Sequence, residues 1–105
     1  RARELIDQGA RVALSTDFNP GTSPTQDLQF VGLLARKEMK MKAHEVINAW
    51  TVASSYAVNL QNEVGSLDVG KSADFSVMDC SWNSLFYQVG FNAVCSTYLA
   101  GKKVY

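Results

Sequence analysis

The stretch "STDFNPGTSPTQ", Ser15 to Gln26, holds the residues whose types and spacing could do chemistry. An apolar run ends on Asp17, and the rigid loop Asn19-Pro20-Gly21-Thr22 follows at once. A carboxylate at a strand end has two readings: it closes an Asx-type turn in solvent, or it is one member of a catalytic site. On spacing alone the turn is the stronger reading, because Asp-x-Asn-Pro-Gly is ordinary turn chemistry. The same pair of readings holds for Asn19, Gly21 and Thr22. They shape a loop, or they form a preordered loop that grips a ligand at small entropic cost. Gly21 would let a ligand approach the backbone, and Asn19 and Thr22 would hydrogen-bond its polar ends.

Few other residues compete. His44 is the only histidine, and one lone histidine makes no metal site; it reads as a surface or helix-capping residue. Cys80 and Cys95 are too few for a disulfide framework and match no metal spacing, so both read as buried free thiols. Asp68, Asp74 and Asp79 sit beside turns or strand ends and read as solvated. Arg36, Lys37, Lys40 and Lys42 alternate with Glu38 and Glu45, which describes a wet helix face. Trp50, Trp82 and Tyr98 read as core or edge packing.

The elements that would position Asp17 follow from periodicity. "RARELIDQG" predicts a helix with Ala2, Leu5 and Ile6 on one face and Gly9 as its stop. Arg11 to Thr16 predicts a short buried strand, with Val12, Leu14 and Thr16 on one face and Ala13, Ser15 and Asp17 on the other. Asn19 to Thr22 predicts a type II turn with Gly21 at positive φ. The next helix is expected from Ser23 as N-cap, with Pro24 first and Gln26 closing a capping box, to about Lys40. Gln29, Arg36 and Lys40 form its polar stripe, and Leu28 to Ala35 are apolar almost all round. A further helix begins near Lys42, with Ala43, Val46, Ile47, Trp50 and Ala57 at helical spacing and Glu45 in its first turn. From Gly65 the pattern changes to a turn, a strand around Phe75 and Val77, and two strands about an Ala100-Gly101-Lys102 turn.

Composition sets the class. The chain has 105 residues, 47% of them hydrophobic, with ten basic and ten acidic side chains. That is enough apolar content for a globular core, and the charge balance gives no footprint for nucleic acid or an anionic membrane. No apolar run approaches the roughly 20 residues that cross a bilayer. The start has no apolar core of the signal-peptide kind, so a cytoplasmic home is expected. The chain opens without Met inside a helical pattern, and a fragment of a longer polypeptide is expected.

"ALSTDFNPGTSPTQ" closely resembles the last barrel strand and following loop of the imidazolonepropionases, metal-dependent amidohydrolases of histidine breakdown. "VASSYAVNLQNEVGSLDVGKSADFSVMD" resembles the more general close of the amidohydrolase superfamily, where the chain returns to a β-sandwich beside the barrel. The resemblance spans nearly all of the chain. It implies an α/β fold: residues 1–60 as the C-terminal part of a (β/α)8 barrel, and residues 61–105 as a β-sandwich segment. It also implies that Asp17 is a metal ligand and a catalytic proton acceptor, and that Asn19 and Gly21 contact the ring-opened product. Thr22 would contact the imidazolone substrate. The ion implied is one zinc or iron, its remaining ligands being histidines on earlier strands. The substrate is a small molecule, and the remainder of the barrel or a homo-oligomer is the partner. Lys42 stands where relatives often carry a Thr N-cap, Trp50 where a small residue is common, and Asn59 where a glycine is usual. A full barrel takes roughly 250 residues, so the segment alone is expected to be inactive. Two alternatives stand beside this: another cyclic amidohydrolase or deaminase of the superfamily, and a non-catalytic α/β assembly module.

Overall fold

The expected opening helix forms as α1 (Ala2–Asp7) in a computed structural model that describes residues 1–105. Gly9 at φ 83° lets the chain turn back, so that its N–H reaches the Ile6 carbonyl and the Ala10 N–H that of Leu5. Ala2 is buried and Ile6 packs on the core, but Leu5 is exposed, so the apolar face is narrower than expected.

Residues 11–17 alternate as expected: Val12, Leu14 and Thr16 are half-buried, and Ala13, Ser15 and Asp17 are exposed. The segment is nevertheless not a β-strand, because no second strand of this chain lies beside it to complete a ladder. It is held by side contacts. The Leu14 N–H donates to the Ala49 carbonyl at 3.2 Å, the Ser54 hydroxyl reaches the Leu14 carbonyl, and Arg11 lies 3.6 Å above the Tyr56 ring.

The second helix, α2 (Leu28–Lys37), begins five residues after Ser23. Asp27 is its N-cap, accepting the Phe30 N–H at 3.1 Å; Ser23, Pro24 and Gln26 belong to the loop. It ends before Lys40, which takes φ 56°. Gly32, Leu33 and Ala35 are buried. Gln29 does not face solvent as part of a polar stripe: its amide donates to the Leu85 carbonyl and accepts the Ala93 N–H. The following helical pattern divides at Thr51 (φ −112°, ψ −91°) into α3 (Ala43–Trp50) and α4 (Val52–Ala57). At the end of α4, Asn59 takes φ 60°, and the Asn59 and Leu60 N–H groups return to the Tyr56 and Ser55 carbonyls.

The later strands form one antiparallel sheet, β1 (Phe75–Met78), β2 (Val94–Leu99) and β3 (Lys102–Lys103), in that order. Phe75 pairs with Tyr98, their rings stacked at 4.7 Å, and the register slips at Val77/Met78. Ala100 and Gly101 both have positive φ, the primed turn whose twist suits a two-residue hairpin. The core joins the two kinds of structure: Leu33, Ala35, Met41, Val46 and Ala49 meet Leu85, Phe86 and Ala93. Trp50 packs edge-on against Phe86, with centroids 5.1 Å apart. Trp82, expected to pack, is 54% exposed; Cys80 is half-buried and Cys95 exposed, not buried as expected. Only 14 of the 105 residues are buried, and Val58, Leu67, Val69 and Tyr87 stand largely in the open. No helix is long and apolar enough to cross a membrane.

Candidate active site

Asp17 stands at the end of the extended segment, on its open face, with φ 48°. Left-handed backbone is uncommon for a residue with a Cβ, and Asp is among the few types that adopt it readily. The hydrogen bonds at Asp17 are to its backbone: the N–H donates to the Ser15 hydroxyl at 3.1 Å, and the carbonyl accepts from the Asn19 amide at 2.7 Å. Neither carboxylate oxygen accepts a hydrogen bond from within the chain, and the side chain is exposed. That suits a ligand to a hard or borderline cation. No three His, Cys, Asp or Glu side chains converge anywhere in the chain. His44 is exposed on α3, lining a small cleft with Glu45 and Met41.

The loop after Asp17 is built on Asn19. Its Oδ1 accepts the Gly21 N–H at 2.9 Å and the Thr22 N–H at 2.8 Å, and its Nδ2 lies 3.2 Å from Thr22 Oγ1. This Asx turn replaces the expected type II turn: Asn19 caps the loop from its side chain, and Gly21 has no need of positive φ. A Cβ on Gly21 would lie 3.3 Å from Asn19 Oδ1, so the position still favours glycine, through close approach. The Asn19 N–H bonds to the Ser23 carbonyl, closing the loop as a single bridge. The Ser23 hydroxyl reaches back to the Thr16 carbonyl at 2.5 Å. Asp17, Asn19, Gly21 and Thr22 thus lie in one ordered loop.

Ser15 and Ser23 were not among the expected site residues. Serines two before and six after the carboxylate are too common a pattern to announce a clasp. A separate groove of about 810 Å³ lies between α3–α4 and the sheet, walled in part by Ile47, Trp50, Val58, Phe75 and Tyr98.

Away from the loop, Arg3 joins α1 to α3. Its guanidinium is 2.8 Å from both Asp7 Oδ1 and Glu45 Oε2, and Glu45 also accepts the Lys42 N–H at 2.6 Å. The hydrogen bond from Arg3, chiefly, holds the Glu45 carboxyl below the usual carboxylate range, against the opposing effect of burial. Asp74 is lowered likewise, by the Ala100 N–H and then by the Ser72 hydroxyl.

A carboxylate at the end of an extended segment, a preordered polar loop and a helical layer joined to a small antiparallel sheet accompany a match to the Amidohydrolase family over residues 1–104. The chain belongs to that family. It is 62% identical over 104 residues to an imidazolonepropionase of Bdellovibrio bacteriovorus and 40% identical over 105 residues to one of Fusobacterium nucleatum. Each match takes in 99% of this chain and 25% of the relative, so the chain spans about a quarter of the length of these curated relatives. Among solved structures, E. coli guanine deaminase superposes over all of this chain and 30% of its own, with a TM-score of 0.77 at 21% identity. An adenosine deaminase from Xanthomonas campestris with bound zinc superposes over 94% of this chain and 26% of its own, with a TM-score of 0.75 at 22% identity. At those identities the likeness is one of fold.

Proposed function

We propose that this chain forms one wall of the active site of a metal-dependent cyclic amidohydrolase of the imidazolonepropionase type. The reaction is hydrolysis of 4-imidazolone-5-propanoate to N-formimidoyl-L-glutamate. Water adds at the ring carbonyl carbon, the ring C–N bond breaks, and the nitrogen leaves with a proton. The observation that carries the reading is the Asp17 carboxylate, presented on the open face of an extended segment with neither oxygen engaged inside the chain. The 62% identity to the Bdellovibrio relative supports the choice of ring over those of other amidohydrolases.

When bound, a zinc or iron ion polarises the amide carbonyl and brings the pKa of water to about 7. Asp17 would hold that ion through one oxygen, and its other oxygen would take the water's proton and deliver it to the departing nitrogen. Gly21 and Thr22 would meet the substrate at the loop's exposed surface. Residues 1–60 are assigned to the last part of a (β/α)8 barrel. The exposed parity of Ala13, Ser15 and Asp17 matches a barrel strand that points small residues and a ligand inward. Residues 61–105 are assigned to a sandwich beside it. The exposed Val58, Leu67 and Val69 support a partner that covers them, the rest of the barrel polypeptide or a second subunit.

The test is hydrolysis by the complete gene product. Turnover of imidazolone propionate in preference to pyrimidine-type rings, abolished by Asp17→Ala, is the expected result. Equal or better turnover of a pyrimidine-type ring, or an Asp17→Ala variant of undiminished activity, refutes the reading. The 105-residue chain alone is expected to show no turnover.

A further inference from the structure

We infer that Asn19 is a positioning residue that acts through Asp17: its carboxamide holds the Asp17 peptide in the left-handed conformation that aims the carboxylate. The inference rests on reading Asp17 as a metal ligand. A primary amide has two donor hydrogens and two acceptor lone pairs. In Asn19 all four are committed inside the loop. Nδ2 faces the Asp17 carbonyl at 2.7 Å and Thr22 Oγ1 at 3.2 Å, and Oδ1 accepts the N–H groups of Gly21 and Thr22 at 2.9 and 2.8 Å. Two backbone N–H groups face the oxygen, so the carboxamide has one workable orientation. Nothing remains on this half-buried side chain to offer a substrate or product unless the loop gives up a bond.

What Asn19 holds is a conformation that needs holding. Asp17 sits at φ 48° among residues that run extended up to it, so its carboxylate direction depends on the peptide groups on either side. Asn19 fixes the carbonyl after Asp17, Ser15 accepts its N–H, and Ser23 fixes the carbonyl of Thr16 just before it. Asn19 and Ser23 both tie these peptides to the loop beyond, and of the two only Asn19 bonds to Asp17's own carbonyl. Groups that orient a metal ligand are worth about 10- to 100-fold in metal affinity or activity.

The complete gene product with its metal tests this through Asn19→Ala and Asn19→Asp, read by the rate of metal loss to a chelator and by kcat and KM. Asn19→Ala is expected to release metal at least about tenfold faster and to lower kcat, with KM changed by less than about threefold. Asn19→Asp keeps the acceptor for Gly21 and Thr22 but lacks the donor to Asp17. It is expected to shift the same way. Its added negative charge attracts a cation, so faster metal loss from that variant cannot be a charge effect. A raised KM with unchanged kcat and metal release in both variants overturns the inference and makes Asn19 a substrate contact. Asp17→Ala separates the two ideas. If it retains metal as the wild type does, the reading of Asp17 as ligand falls, and the inference with it. If it loses metal while both Asn19 variants hold theirs, only the inference falls.

Discussion

Gly32 and Trp50 occupy one space: a Cβ added to Gly32 would come within 2.4 Å of Trp50 Cζ2 and 2.6 Å of Phe86 Cε1. The indole fits because α2 has no side chain at that point. Gly32→Ala is therefore expected to destabilise the chain despite the better helix propensity of alanine, by about 1–3 kcal/mol of overpacking. Trp50→Leu should return part of that loss, and a double-mutant cycle by urea unfolding measures the coupling. Additive single and double variants would show that the two side chains do not share the space.

Arg3 and Glu45 give a pH dependence with a definite sign. The Glu45 carboxyl is held below the ordinary range by Arg3, so the unfolded chain takes up protons first as the solution is acidified. The stabilisation is fully present above the unfolded value of about 4.3 and is lost as pH falls through the folded one. Thermal unfolding between about pH 6 and pH 3 should show a steeper loss of Tm in the wild type than in Glu45→Gln. Parallel profiles would remove Glu45 from the account.

Asn59 holds φ 60° at the end of α4. Asn59→Gly is expected to change stability by less than about 0.5 kcal/mol, since both residues accept left-handed backbone. Asn59→Val should cost about 1–2 kcal/mol at the same place. Chemical denaturation of both variants checks the difference, and equal stabilities would contradict the observed turn.

Much of this was legible in the sequence, and the failures share a cause. The alternation of Val12, Leu14 and Thr16 with Ala13, Ser15 and Asp17 reads directly from residue size and polarity, and it is what the burial pattern shows. The Gly9 stop and the Ala100-Gly101 hairpin were also readable, because positive φ selects few residue types. Missed were features settled by partners distant in sequence. Ser23 looked like an N-cap but is drawn to the Thr16 carbonyl, and Asp27 caps α2 instead. Gln29 looked solvated but bonds to Leu85 and Ala93, 56 and 64 residues away. At Gly21 the expected turn type was wrong because the Asn19 side chain outcompeted the backbone in closing the loop.

The exposed Val58, Leu67, Val69 and Tyr87 bear on behaviour in solution. Open apolar surface of this kind binds hydrophobic dyes and promotes association. The isolated 105-residue chain should enhance the fluorescence of such a dye and sediment as a concentration-dependent mixture. A dye-silent monomer at all concentrations would mean that those side chains find cover within the chain.

The Gln29 carboxamide has a kinetic consequence. Because it accepts the Ala93 N–H at the threshold of β2 while anchored in α2, that amide proton can exchange with solvent only when helix and sheet part company. Its deuterium uptake would then follow the opening of a helix more than sixty residues earlier in the chain, and would serve as an internal clock for the separation of the two layers.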